Sequence, residues 1–210
     1  MTILLSDPRV AATPVHDCGE PLIALEASFG PARARVRAGL GERLALAQEL
    51  LPRGLRLRVL EGHRSVADQR AIIARYSAEV CRLRPGVSPH DLHHLVSRFV
   101  APVDVAPHVA AGAVDLTLVD VLGEELDMGS RVDATPEESD GACFFAADHI
   151  SPDARAHRNL LAAVLKPLGL VNYPTEWWHW SYGDRYWAMV NEAPYAVYGP
   201  VHDDRSRDAA

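Results

Sequence analysis

The sequence is short of cysteine and of positive charge. Its 210 residues include three scattered cysteines, Cys18, Cys81 and Cys143, and no CxxC pair. An odd, dispersed set of thiols argues against a disulfide framework and favours a reducing compartment. The net charge of -7 leaves no basic surplus with which to bind a phosphate backbone, so it argues against a nucleic-acid partner.

Long hydrophobic runs are also missing. No segment approaches the roughly 20 apolar residues that a membrane span needs, and the first 15 residues do not resemble a signal peptide. With 48% hydrophobic and 23% charged residues, the chain is long enough to bury a core. These features predict a cytoplasmic protein without a membrane partner. They favour one domain over residues 1–200 with a flexible tail over 201–210.

Hydrophobic periodicity predicts a mixed set of helices and strands. Helical spacing covers residues 31–51, and capped helices are predicted over 66–83, from 89 to before 102, and over 152–168. Alternating apolar and polar residues predict strands over 55–61, 113–120 and 178–182. Residues 1–30 and 123–140 are predicted to be irregular. This order favours an α+β fold over regular βαβ winding.

A histidine and an aspartate lie seven residues apart around the predicted strand 113–120. His108 follows a proline in a loop, and Asp115 lies on the polar face of the strand. Gly112 between them allows the chain to turn back, so the imidazole and the carboxylate could converge. Taken alone, the pair is better explained as an ordinary loop histidine and an exposed strand aspartate.

A second pair lies in PTEWWHWSYG, residues 174–183, which holds three of the four tryptophans. His179 with His108 and Asp115 would give the two-histidine, one-carboxylate set that is typical of catalytic zinc. Glu176 would then be a base that takes a proton from an attacking water. Residues three apart on a strand point to opposite faces, so this hypothesis requires a bend. We interpret the tryptophans as core packing.

Two further polar residues are candidates for the same site. Arg64 lies where a strand ends and a helix begins, and it could stabilise an oxyanion or hold a carboxylate. Asp133, in the loop MGSRVD, could bind a substrate ammonium group. Alone, each has an ordinary explanation as a surface or loop residue. Three histidines on one short predicted helix are interpreted as surface or lid residues rather than ligands: His90, His93 and His94.

The chain resembles the D-alanyl-D-alanine dipeptidases, the VanX-type zinc peptidases of family M15. The resemblance is carried, in order, by Arg64, by His108-x6-Asp115 running into Leu-Thr-Leu, by MGSRVD, and by Glu176-Trp-Trp-His179. It extends from about residue 6 to 199. Related proteins are the zinc D,D-carboxypeptidases and the hedgehog-type domains, so the resemblance implies a small central antiparallel sheet with flanking helices.

The resemblance also implies a role for each candidate residue. One zinc ion per chain would be bound by His108, Asp115 and His179. Glu176 would be the catalytic base and Arg64 would stabilise the tetrahedral intermediate. A substrate's free amino group would be recognised by Asp133.

The sequence departs from the family pattern at three places. Ala106 stands where a serine is usual, Ala111 stands where a glycine is usual, and MGSRVD replaces MGT-x-F-D. None of these changes replaces a proposed ligand. We therefore expect peptidase chemistry to be retained, whereas the substrate preference is less constrained.

The function expected from the sequence is zinc-dependent hydrolysis of D-Ala-D-Ala or a similar small D,D-dipeptide with a free amino terminus. One alternative is a zinc D,D-carboxypeptidase acting on peptidoglycan stem peptides. Another is a metal-binding or sensing module without catalysis, although Glu176 argues against it because structural zinc sites fill all four positions. Cell-wall recycling, defence against glycopeptides and use of D-amino acids are all compatible purposes.

Overall fold

The computed structural model describes residues 3–97 and 99–201, which form two compact units. One contains the described residues up to Cys18, from Arg64 to Ala111 and from Gly183 onward, and the other contains Gly19–His63 and Gly112–Tyr182. The single domain expected from the sequence stays a prediction, and residues 202–210 of the expected tail lie outside the described part. No described helix is long and apolar enough to cross a membrane.

The secondary structure mixes short strands with helices of 4 to 18 residues. The helices are α1 (Pro8–Ala12), α2 (Ala38–Leu50), α3 (Val66–Leu83), α4 (Pro89–Ser97), α5 (Pro136–Ser139), α6 (Pro152–Leu165) and α7 (Arg185–Val190). The strands are β1 (Leu22–Ala24), β2 (Arg35–Arg37), β3 (Arg56–Glu61), β4 (Ala113–Val119), β5 (Val171–Asn172) and β6 (His179–Ser181). Single 3-10 turns lie at Ala27–Phe29, Val103–Val105 and Lys166–Leu168.

Two antiparallel sheets form the framework of the second unit. Strands β1 and β2 pair with each other, and the other four lie in the order β3-β4-β6-β5. The central strand β4 is buried along its whole length. Both the apolar face of β4 and the face that carries Asp115 and Thr117 are therefore covered. The predicted α+β class with a small antiparallel sheet is confirmed.

The apolar core of the second unit lies between its sheet and the helices α2 and α6. Two buried leucines lie four residues apart in each helix, Leu40 and Leu44 in α2 and Leu161 and Leu165 in α6, as helical geometry requires. They pack with strand residues and with the tryptophans of residues 177–180. The three tryptophans are almost fully buried, which supports their interpretation as core: Trp177, Trp178 and Trp180.

The first unit is helical. Ser65 caps α3 by accepting a hydrogen bond from the backbone N–H of Asp68 at 3.0 Å. The guanidinium of Arg185, at the start of α7, donates to the carbonyl oxygen of Ala11 at 2.7 Å and also to that of Thr13. These contacts tie α7 to the segment that ends α1.

The predicted helix over residues 31–51 is wrong in its first third. Residues 35–37 form β2, and α2 begins only at Ala38. The reason is a remote partner, because the Glu20 carboxylate accepts the backbone N–H of Gly39 at 2.7 Å and so caps α2 from far along the chain. Residues 1–30 were expected to be irregular but contain α1 and β1. The sequence patterns also did not predict α7.

Candidate active site

The register of two neighbouring strands places Asp115 opposite His179. The pair Asp115↔His179 lies at the start of β6, and both side chains are buried. Atom Nδ1 of His179 lies 3.0 Å from Oδ1 of Asp115. A short antiparallel ladder thus brings together two residues that are 64 positions apart in the sequence.

His108 lies in the turns that lead into β4. The backbone N–H of Ala111 donates to the His108 carbonyl at 3.0 Å, and Ala111 adopts a left-handed φ of 54°. This is the position where the family that the sequence resembles usually has glycine, which adopts positive φ without a steric cost. The tight turn sends the chain back into the strand, and His108 itself is 5% exposed.

The structure brings three of the predicted residues together as one cluster, here called the metal group: His108, Asp115 and His179. One ligand atom from each lies within 4.8 Å of the others, and all three residues are buried. Two ligands at about 2.0–2.1 Å from a tetrahedral zinc ion lie about 3.3 Å apart. The chemistry and the spacing of the metal group therefore fit a zinc ion after small side-chain adjustments.

Glu176 lies in a bend just before β6. Its N–H donates to the carbonyl of Tyr173 at 2.9 Å, and its carbonyl accepts the N–H of His179 at 3.2 Å. Because β6 begins only at His179, the two side chains need not follow strand alternation. Atom Oε2 of Glu176 lies 4.0 Å from Nδ1 of His179, and the Glu176 side chain is 22% exposed. The bend that the zinc hypothesis requires is present.

Asn172 holds this bend in shape. Its Nδ2 donates to the carbonyl oxygens of Glu176 at 2.9 Å and of His179 at 3.0 Å. An asparagine amide can satisfy backbone groups that a tight turn leaves without ladder partners. The sequence patterns did not single out Asn172, because its partners come from a turn whose path they do not define.

Trp177 connects the bend to the loop that carries Asp133. Its indole N–H donates to Oγ of Ser130 at 2.9 Å, and its backbone N–H donates to the carbonyl of Cys143 at 3.0 Å. Asp133 lies in an exposed turn with a left-handed φ of 60°. The proposed role of Asp133 in binding an ammonium group stays a prediction.

Arg64 is anchored at its backbone and at its side chain. Its N–H donates to the carbonyl of His108 at 3.1 Å, and its Nη1 donates to Oε1 of Gln69 at 2.8 Å. The first contact ties Arg64 to the segment that supplies a member of the metal group. Gln69 is a further residue that the sequence patterns did not single out.

The surroundings of the α4 histidines and of Cys143 explain why these potential ligands are not part of the site. The three histidines on α4 are exposed, in agreement with their interpretation as surface residues: His90, His93 and His94. Burial raises the pKa of the Cys143 thiol, a hydrogen bond with Ser139 partly opposes this, and the charge of Glu176 raises it further. A thiol with a raised pKa stays neutral, so Cys143 is a core residue rather than a nucleophile.

The α+β fold, the buried metal group and the adjacent Glu176 carboxylate define a metallopeptidase. The peptidase family M15, described as D-ala-D-ala dipeptidase, matches residues 84–197. This match covers more than half of the chain, and the protein therefore belongs to that family.

Curated relatives agree with this membership. A D-alanyl-D-alanine dipeptidase of Synechocystis sp. is 28% identical over 217 residues, which cover 84% of this chain and 87% of the relative. A D-alanyl-D-alanine dipeptidase of Escherichia coli (strain K12) is 37% identical over 87 residues, which cover 40% of this chain and 42% of that protein.

Two solved structures are also similar to the chain. VanYB in complex with D-alanine-D-alanine has 16% sequence identity and a TM-score of 0.48, covering 85% of this chain and 86% of that one. A vancomycin resistance D,D-pentapeptidase VanY variant in complex with Zn(II) has 15% identity and a TM-score of 0.44, covering 81% of this chain and 88% of that one.

Proposed function

We propose that this protein is a zinc-dependent dipeptidase that hydrolyses D-Ala-D-Ala, or a similar small D,D-dipeptide with a free amino terminus. The observation that carries the proposal is the metal group with the Glu176 carboxylate 4.0 Å from one of its members. Two imidazoles and one carboxylate are a typical ligand set of catalytic zinc. Family membership supports this class of substrate.

The metal group would hold one zinc ion through one atom from each residue. When bound, such an ion supplies Lewis acidity, which polarises a carbonyl group and lowers the pKa of a water molecule to about 7. The burial of all three side chains keeps competing solvent away from the ligand atoms. It also strengthens every electrostatic interaction made there.

Glu176 would act as the base. Its carboxylate is close to the metal group and partly open to solvent, so a water molecule can reach it. It would accept a proton from the attacking water and donate that proton to the leaving amine. Hydrogen bonds from Asn172 hold the backbone of the bend from which the Glu176 side chain projects.

Arg64 and Asp133 would bind two oppositely charged groups of the reacting substrate. The Arg64 guanidinium would donate to the oxyanion that develops on the scissile carbonyl. The exposed Asp133 carboxylate would bind the substrate ammonium group. A requirement for a free ammonium separates this activity from that of a D,D-carboxypeptidase, which accepts a longer chain on the same side.

The proposal is tested with purified, zinc-loaded protein and a panel of D,D-, L,D- and L,L-dipeptides, each free and N-acetylated. We expect cleavage of free D-Ala-D-Ala and loss of cleavage after acetylation. Equal rates with free and acetylated substrate would favour the carboxypeptidase alternative and remove the role of Asp133. Zinc binding without cleavage of any peptide would favour the sensing module. The cytoplasmic location stays a prediction.

A further inference from the structure

Helix α3 buries an unexpected side chain. It is 18 residues long, and its one buried residue is a glutamine, Gln69. The side chain of Gln69 is 1% exposed. Burying an amide costs free energy unless its hydrogen bonds are made inside the protein. The hydrogen bonds of the Gln69 amide are therefore expected to be made within the protein.

Both ends of the Gln69 amide have partners. Oε1 accepts a hydrogen bond from Nη1 of Arg64 at 2.8 Å, and Nε2 donates to the carbonyl oxygen of Ala101 at 2.8 Å. The two contacts fix the orientation of the amide, because a flipped amide would place its NH2 group against the guanidinium. Gln69 thus links Arg64 to a second segment of the chain.

A neutral acceptor suits an arginine that has to stabilise charge elsewhere. A carboxylate at the same place would form a charge-assisted pair with the guanidinium and reduce the positive potential available to a third group. An amide oxygen constrains the direction of the guanidinium without itself adding a negative charge. The backbone contact from Arg64 to His108 fixes the other end of the residue.

We propose that Gln69 is a positioning residue that holds the Arg64 guanidinium in the orientation needed to stabilise the oxyanion. The inference rests on the proposed function, because it takes its meaning from the role of Arg64 in the reaction. Gln69 does not touch the reacting atoms and acts through Arg64.

The kinetic test uses Gln69→Leu, Gln69→Glu, Arg64→Ala and the double variant Arg64→Ala with Gln69→Leu. Misplacement of a catalytic group by about 1 Å can lower the rate roughly 100-fold. We expect either Gln69 variant to lower kcat by about 10- to 100-fold, with a much smaller change in KM. In the Arg64→Ala background, Gln69→Leu should have no further effect. Independent, multiplicative losses in the double variant would overturn the inference.

Gln48 in α2 provides a matched control. Its Nε2 donates to the carbonyl of Leu55 at 3.3 Å, and its Oε1 accepts the N–H of Leu57 at 2.8 Å. Like Gln69, it is an amide that connects a helix to another segment, but both of its partners are backbone groups. Gln48→Leu should lower thermal stability while leaving kcat unchanged. An equal loss of kcat in Gln48→Leu would show that the Gln69 effect is merely structural.

A second measurement does not depend on activity. The heteronuclear NOE of the Arg64 Nε–Hε group, assigned with Arg64→Lys, reports how rigidly the guanidinium is held. We expect a high value in the wild-type protein and a clear fall in Gln69→Leu, with other arginines unchanged. An unchanged Arg64 value would overturn the inference.

If the wild type cleaves no dipeptide but Arg64 loosens in Gln69→Leu, the proposed function fails and the positioning of Arg64 by Gln69 stands. If Gln69→Leu does not fold, Gln69→Glu replaces it in the kinetic measurement, and Gln69→Met, which has a similar length but no amide, replaces it in the NOE measurement.

Discussion

The metal group and Arg158 are both buried and polar, yet their surroundings satisfy them differently. Arg158 is 0% exposed, and burial lowers the pKa of its guanidinium to about 10, so it remains charged at neutral pH. It donates to four backbone carbonyl oxygens, those of Met128 at 2.7 Å, Ala142 at 2.6 Å, Phe144 at 2.6 Å and Phe145 at 3.4 Å. In the metal group, by contrast, two imidazoles and a carboxylate converge on one another.

The difference separates a structural from a functional use of burial. The buried donors of Arg158 face backbone acceptors. These hydrogen bonds stabilise the fold, because breaking them leaves desolvated groups without partners. Three converging ligand side chains supply instead what a cation requires. Changes at Arg158 should therefore act on stability, and changes at the metal group should act on metal content and activity.

The largest effect is expected for His108→Ala. The variant loses one of three proposed ligands, so its zinc content after equilibration with buffered zinc should fall from about one ion per chain to well below one. Dipeptide cleavage should fall to the background rate. Metal analysis and an activity assay measure both, with His94→Ala, an exposed histidine on α4, as the control.

Two results would contradict this expectation. Unchanged zinc stoichiometry in His108→Ala would remove the residue from the ligand set. A loss of stability in the metal-free His108→Ala protein as large as that of an Arg158 variant would erase the contrast between the two regions.

Glu176→Gln should have the next largest effect. The amide has nearly the same shape but cannot accept a proton, and general-base catalysis is worth about 10²- to 10⁴-fold in rate. We expect a loss of that size in kcat with the zinc content retained. Glu125→Gln is a suitable control, because Glu125 forms a surface ion pair with Arg58 at 3.4 Å. A Glu176→Gln enzyme with near wild-type kcat would show that another group is the base.

Arg158→Met tests the structural side of the comparison. It leaves the four carbonyl groups without the guanidinium, and we expect a loss of about 3 kcal/mol in the free energy of unfolding, measured by urea denaturation. Arg155, one turn earlier in α6, is half-buried and donates to the carbonyls of Phe145 and Ala147. Arg155→Met should cost less. Equal losses in the two variants would mean that burial does not distinguish the two arginines.

The smallest effect is expected for Asp127→Asn, beside the loop that Arg158 holds. The Asp127 carboxylate accepts from Oγ of Ser151 at 2.7 Å and from the N–H of Gly129 at 2.8 Å, and these hydrogen bonds lower its pKa. A carboxyl group whose pKa is lower in the folded state stabilises the fold above its unfolded pKa of about 3.9. This stabilisation is lost as the pH falls through the folded value.

For this exposed carboxylate we expect Asp127→Asn to cost less than about 1 kcal/mol at pH 7. The difference from wild type should shrink in urea denaturation below about pH 4, and Asp148→Asn, at a fully exposed side chain, should be neutral. A difference that grows at acidic pH would contradict the assigned direction of the pKa shift.

Local sequence patterns predicted α3 and most of β4 well, because capping residues and alternation are signals contained within each element. They failed at the start of α2, where the cap comes from Glu20. They also did not reveal Gln69 or Asn172, whose partners are distant carbonyls or turn residues. A hydrogen bond between remote segments leaves no periodic trace in the sequence.

The residue types and their order supply the chemistry of the site: two histidines, an aspartate and a glutamate in an order that resembles zinc peptidases. Folding is needed to bring one ligand atom from each member of the metal group to within 4.8 Å of the others. Folding also produces the bend between Glu176 and His179. The physical reason is that residue type fixes which bonds a side chain can form, whereas strand register and turn geometry fix where it points.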